Sequence, residues 1–225
     1  MATWGAHFRI AEKILQQTCC LDEEAFLVGN IGPDCGMLTG EWDKFDPPKA
    51  VSHWKNASNK TDPEPYYQKY LSDADKSDHH RYSFLVGYYV HLISDAAWSK
   101  LYLQLKREQL SEFADFGRDK NLTMAVKRDW YDQDYLYLVT NPRNIFHDLF
   151  TKIESFPDYL DYFPAGAVEF QMKEIQKFYL NYKHNPFRDY RYLTVDEMNN
   201  YVEQAVELSV TELLNKNLIS GIKYA

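Results

Sequence analysis

The sequence predicts an all-α fold: a single-domain multi-helix bundle over residues 1–225, built around one long buried central helix, with a long structured loop after the second helix. Three observations predict it. Apolar residues recur every three or four positions along most of the chain. Residues 78–109 contain neither proline nor a cluster of turn residues. Strand-like alternation is scarce, and Val139-Thr140 beside Pro142 is too little to define a strand.

Each element follows from a local pattern. Phe8, Ile10, Ala11, Ile14 and Leu15 predict a first helix over 5–18. Asp22-Glu23-Glu24 places carboxylates at the start of a second, short helix, where the exposed backbone N–H groups favour negative charge. Gly29, Gly32 and Pro33 end it. Eight glycines and prolines between Gly32 and Pro65 then predict a long irregular segment over 31–65, packed by Trp42, Phe45 and Trp54. The central helix over 78–109 is apolar most of the way round, through Phe84, Leu85, Tyr88, Tyr89, Leu92, Ile93, Ala96, Ala97 and Leu101, and such a helix is buried. Further helices are predicted over 120–139, 142–154, 165–183 and 195–217. The last opens with Thr194 and Glu197, the spacing of a capping box.

Composition narrows the function classes. Aromatic residues make up 16 % of the 225, enough to build a core without disulfides. Asp and Glu total 33 against 25 Lys and Arg, for a net charge of −8, and no run of five basic residues occurs. Duplex nucleic acid is therefore not an expected partner, because its phosphates need a large basic surface. Cys19, Cys20 and Cys35 are an odd set with two adjacent members, which suits reduced thiols better than a disulfide framework. No basic, then apolar leader opens the chain and no run of 18 apolar residues occurs, so the expectation is a cytoplasmic protein without a transmembrane segment.

The chemistry centres on His91 and Asp95. Four apart on the buried helix, they share one face, with Cβ atoms about 5–6 Å apart. A buried carboxylate is costly unless paired or bound to metal, so the pair is either a structural hydrogen bond or two ligands of one ion. His7 falls near the start of the first helix, Asp34 in the turn after Gly32-Pro33, and His53 between Ser52 and Trp54. Singly each reads as core filler, a turn aspartate and a loop histidine; together they are five side chains of metal-ligand type. Asp129 and Asp132 offer further oxygens, or form a solvated acidic helix face with Trp130 turned inward. His79 and His80 read as capping or surface residues, and His147 and His184 have no partner that spacing identifies. Arg81, Lys55 and Arg128 are candidates to grip a phosphate. Trp42, Trp54, Tyr66, Tyr67, Tyr88 and Tyr89 either wall an apolar slot or form core.

Trp4-Gly5-Ala6-His7, Gly29-Asn30-Ile31-Gly32-Pro33-Asp34, Ser52-His53-Trp54 and the run from Gly87 through His91 to Asp95 together resemble the zinc-dependent phospholipase C family, which shares its helical fold with single-strand zinc nucleases. The resemblance runs over residues 1 to about 105. It implies that Asp34, His53, His91 and Asp95 hold one zinc, and that Asp95 bridges to a second zinc held by His7. The family's second zinc also takes the amine of an N-terminal Trp, whereas here Met1 precedes Trp4. Its third zinc takes a histidine shortly after the helical aspartate, where this chain has Leu101 and Tyr102. The resemblance thus implies one to three zinc ions, two being favoured, and a metal-dependent phosphodiester hydrolase in which an activated water attacks phosphorus. Asp34 would be a ligand or accept the water's proton. The substrate would be a phospholipid or another small phosphodiester. The alternatives are a non-catalytic metal-stabilised helical binding domain and a single-strand nuclease-like hydrolase. Substrate-binding residues and oligomeric state do not follow from the sequence.

Overall fold

Helix α1 (Trp4–Gln17) starts at Thr3, whose hydroxyl accepts the Ala6 N–H. Asp22 caps α2 (Glu23–Gly29) through the Ala25 N–H at 2.8 Å, as its acidic start predicts. This is a computed structural model, and it describes residues 1–18, 20–40 and 44–221. Cys19 and Trp42 lie outside the described residues. Cys20 and Cys35 are free thiols.

The segment 31–65 is more regular than its glycines and prolines suggest. A 3-10 turn (Gly32–Asp34) leads to a two-stranded antiparallel hairpin, β1 (Met37–Leu38) against β2 (Phe45–Asp46), with Leu38 opposite Phe45. A short helix α3 (Lys49–Ser52) follows, and α4 (Pro63–Tyr70) begins inside the stretch read as irregular. The cause of α4 is local: Asp62 accepts the Glu64 N–H, and Pro63 occupies the first helical position, where its missing N–H costs nothing.

The predicted central helix is three pieces. Helix α5 (His79–Trp98) runs into a π-helical segment (Ser99–Gln104) and then α6 (Leu105–Gln109). The π-turn stacks Tyr102 on Trp98, ring centroids 4.2 Å apart. Helix α7 (Lys120–Thr140) matches its predicted span. The helix expected over 142–154 is shorter: α8 (Ile145–Asp148), then a 3-10 turn (Phe150–Lys152). There Gln176 donates to the carbonyls of Phe150 and Ile153, taking over acceptors that a longer helix would have used internally. Helices α9 (Ala167–Leu180) and α10 (Val195–Asn215) complete the bundle, α10 with both halves of the Thr194–Glu197 capping box.

α5 lies at the centre, with α2, α4 and α10 packed against it and α1 close by. Its tightest neighbour is α2. A Cβ on Gly29 would fall 2.1 Å from the Phe84 carbonyl oxygen, and one on Gly87 would fall 2.2 Å from that of Phe26. The two backbones therefore touch where only glycine fits. On the α4 side Tyr66 stacks on Tyr88 at 4.7 Å and Trp54 meets Tyr66 edge-on at 5.6 Å. Tyr66 and Tyr88 are fully buried and belong to the core, whereas Tyr89 and the partly buried Trp54 each line a surface cavity. Phe8 packs on Phe146 and Phe150 at 5.5 and 4.6 Å, and burying each such ring contributes about 2–3 kcal/mol.

Candidate metal centre

Five side chains from four segments meet beside α5. α1 brings His7, the 3-10 turn Asp34, the end of α3 His53, and α5 both His91 and Asp95. His7, His53, His91 and Asp95 are fully or almost fully buried. The rings of His7 and His91 lie parallel, 3.8 Å between centroids. His53 Nε2 stands 3.4 Å from Asp34 Oδ1 and 3.7 Å from Asp95 Oδ2, and His91 Nε2 stands 3.6 Å from the same Oδ2. His7 Nε2 is 3.7 Å from the other oxygen, Oδ1.

The backbone packing aims these groups. The Gly29–Gly87 contact brings α2 onto α5, and the Asn30 carbonyl just beyond α2 lies 2.8 Å from His91 Nδ1. That carbonyl requires the proton on Nδ1, which turns the Nε2 lone pair toward the cluster. Ser52 Oγ lies 3.0 Å from His53 Nδ1 and plays the corresponding part for that ring. At the N-terminal side Thr3 donates to Asp134 Oδ1 at 2.6 Å and Tyr179 donates to Oδ2 at 2.7 Å, which ties down the start of α1 and hence His7. The Ala2 N–H donates to Asp95 Oδ1 at 2.8 Å.

The electrostatics suit cation binding. Burial, helped by the nearby His91 charge, lowers the His7 pKa to about 4, and burial lowers that of His53. Both rings are thus neutral at pH 7, as a ligand must be. Burial also opposes charge on His91, but the charge of Asp95 and its contact with the ring, with Asp34 and the Asn30 carbonyl, outweigh it and hold that pKa up. Burial disfavours the carboxylate of Asp34 as well; Lys49 and His53 overcome it and hold Asp34 well below the usual range. Asp95 is lowered likewise, chiefly by the N-terminal ammonium and His91 working against burial.

The donor set fits a metal ion. Both ring nitrogens of His7, Nε2 of His53 and of His91, and Asp95 Oδ2 are buried without a hydrogen-bond partner. Such groups lose about 1–3 kcal/mol each when left unpaired, so several converging on one point call for an occupant. Separations of 3.4–3.7 Å are too long for hydrogen bonds. Two ligand atoms at about 2.0–2.2 Å from one tetrahedral ion lie about 3.3–3.6 Å from each other, close to what is found. Among the described residues, two overlapping trios could hold an ion, His7–His91–Asp95 and Asp34–His53–His91.

Other candidates fall elsewhere. Asp129 and Asp132 do not join the cluster, which corrects their reading as further ligands. Arg188 Nη2 lies 2.8 Å from Asp129 Oδ1 and 2.6 Å from Asp132 Oδ2, Tyr182 donates to Asp132 Oδ1, and the Tyr192 N–H donates to Asp129 Oδ2. Nor are they a solvated face: both are buried, as is Trp130, which does turn inward. His79 meets the Cys20 carbonyl and His80 the Tyr159 hydroxyl, away from the cluster. His147 and His184 lie against Phe146 and Tyr182. Arg128 is drawn to Asp132 at 3.6 Å.

Two basic residues escaped the sequence reading. A cavity of about 230 Å³ beside Asp34 is lined by Lys49 and Lys127, with Trp4, Trp130 and Tyr131 among its walls. Lys49 lies four residues before His53 on the same helical turn, a spacing that could have pointed to it. Nothing local marks Lys127.

An all-α bundle in which buried, partnerless histidine and aspartate ends converge in trios has the arrangement of a helical protein able to hold a metal ion. The family model for zinc-dependent phospholipase C matches residues 6–136, more than half of the chain, and the chain belongs to that family. No curated protein and no solved structure matches it. Among the described residues, no helix is long and apolar enough to cross a membrane.

Proposed function

We propose that this protein is a zinc-dependent phosphodiester hydrolase acting on a phospholipid or another small phosphodiester. The observation that carries the proposal is the set of buried donor atoms without partners, facing one another at ligand spacing. The family supports zinc as the ion.

Two ions are the favoured number, and the ring chemistry supports their division. His91 donates through Nδ1 to Asn30 and so offers one nitrogen, which serves one ion. A carboxylate has two oxygens and can serve two. Asp95 turns Oδ2 toward His53 and His91 and Oδ1 toward His7. The first ion would then be held by Asp34, His53, His91 and Asp95, the second by Asp95 and His7.

Bound zinc would supply a Lewis acid for a phosphate oxygen and a water of lowered pKa. The chain's part is orientation and charge. Asn30 and Ser52 fix the imidazoles, and Trp4, Trp130 and Tyr131 wall the cavity where a phosphodiester would enter. Asp34 fits the role of ligand better than that of proton acceptor, because a carboxyl held so far down takes up a proton poorly.

The test pairs metal analysis with hydrolysis of a chromogenic phosphodiester. The wild-type protein is expected to carry zinc and to turn over the substrate. His91→Ala should lose zinc and at least about 100-fold in activity while remaining folded by circular dichroism. A zinc-loaded wild type that cleaves no phosphodiester would make the ion a clasp between the loop and α5, and overturn the proposal.

A further inference from the structure

Lys49 and Lys127 are out of keeping with the acidic balance of the chain. They come from different elements, α3 and α7, yet line the same cavity, on the side of Asp34. Lys49 Nζ stands 3.7 Å from Asp34 Oδ1 and 4.7 Å from the centre of the Phe45 ring. Among the described residues no carboxylate lies within ion-pair distance of Lys127. Its charge is disfavoured first by desolvation and then by Lys49, so the two ammonium groups feel each other. The rest of the cavity wall is largely apolar, with Leu103, Phe116 and Trp130. Lys49 is half-buried and Lys127 is exposed, and two cations lining one small, largely apolar cavity repel; an anion between them relieves that repulsion. The anion would sit beside Asp34, the proposed metal ligand that the cavity wall contains.

We propose that Lys49 and Lys127 form an anion clamp that holds the non-bridging oxygens of a phosphoester at the mouth of the metal centre. The clamp rests on the hydrolase reading for its substrate, but not for its ability to bind phosphate. It gives the chain a binding determinant for the charged phosphoryl group itself, separate from the metal ligands. Each lysine contributes a charge-assisted hydrogen bond to an anion, so removal of one should weaken phosphate binding about 10-fold and removal of both about 100-fold. Neither lysine is itself a proposed zinc ligand, but Lys49 stands 3.7 Å from one, Asp34 Oδ1, so zinc content is the control for its removal.

The experiment uses zinc-loaded full-length protein and inorganic phosphate as probe, titrated by calorimetry into the wild type, Lys49→Met, Lys127→Met and the double variant. Zinc content and melting temperature are measured on each. The expected result is unchanged zinc, unchanged melting to within a few degrees, and the stated losses in phosphate affinity. With the chromogenic phosphodiester, KM should rise in parallel with the phosphate Kd. A wild type that does not bind phosphate, or a zinc-loaded double variant that binds it as the wild type does, overturns the clamp. A wild type that binds phosphate through the lysines but cleaves no phosphodiester upholds the clamp and sinks the hydrolase. One that cleaves the ester with KM indifferent to both lysines does the reverse.

Discussion

Two buried groups of charged side chains sit on neighbouring helices and are completed in opposite ways. On α7, Asp129 and Asp132 are enclosed by Arg188, Tyr182 and the Tyr192 N–H, so each carboxylate has cationic and hydrogen-bonding partners from the chain itself. Against α5, the inner atoms of His7, His53, His91 and Asp95 face one another with no such partner. Helical spacing alone does not separate these places; Asp129 and Asp132 share one face of α7 as His91 and Asp95 share one face of α5. What separates them is whether the protein supplies the countercharge. A buried polar group must be satisfied, and where the chain has withheld the partner an external one is called for.

The largest effect that sharpens this contrast is expected at the clasp. Arg188→Met leaves two buried carboxylates facing each other uncompensated, and should cost about 3 kcal/mol in urea unfolding, with zinc content unchanged. A loss of zinc in that variant would join the two regions and break the comparison.

The second effect has the opposite sign. His7→Leu removes two unsatisfied buried nitrogens and keeps similar volume. In chelator-treated protein it should raise stability by about 1–2 kcal/mol, while lowering the zinc content of untreated protein. Chelator-treated protein that is destabilised instead would mean the ring is held by contacts the cluster supplies without metal.

The third effect is one of pH and concerns Asp134. Burial raises its pKa from 3.8 to about 7, against the lowering influence of Thr3 and Tyr179. Its folded state therefore holds a proton that the unfolded chain has released between about pH 4 and pH 7, so this group's contribution falls as pH rises through that window. The slope is at most about 1.4 kcal/mol per pH unit. Asp134→Asn should flatten the wild-type curve there and leave the variant more stable than wild type near pH 8. Parallel curves for the two proteins would remove Asp134 from the account.

Much of this was legible in the sequence, for reasons that differ from residue to residue. Helix spans were legible because apolar spacing is local, and the Thr194–Glu197 box and the Asp22 cap because caps are local too. His91 and Asp95 were legible because four residues make one turn. His7, Asp34 and His53 could be gathered only through the family resemblance, since no spacing rule links residues 7, 34 and 53. The Arg188 clasp was invisible: its partner Asp132 is 56 residues away, and nothing near Asp132 announces it. Helix α4 was overlooked although Asp62-Pro63-Glu64 is a start signal, because neighbouring prolines suggested a loop. Gly87 stood in plain view inside an apolar helix, but its meaning depends on Gly29 reaching it across the fold.

That glycine crossing has a consequence for where the precision of the centre is stored. With main chain lying directly on main chain, the carbonyl that steers His91 is mounted on the same rigid joint as the imidazole it steers. No rotamer can absorb an error between them. Transplanting the five liganding side chains onto another bundle would copy the chemistry and leave the alignment behind, because the tolerance of the instrument is set by two positions that carry no side chain.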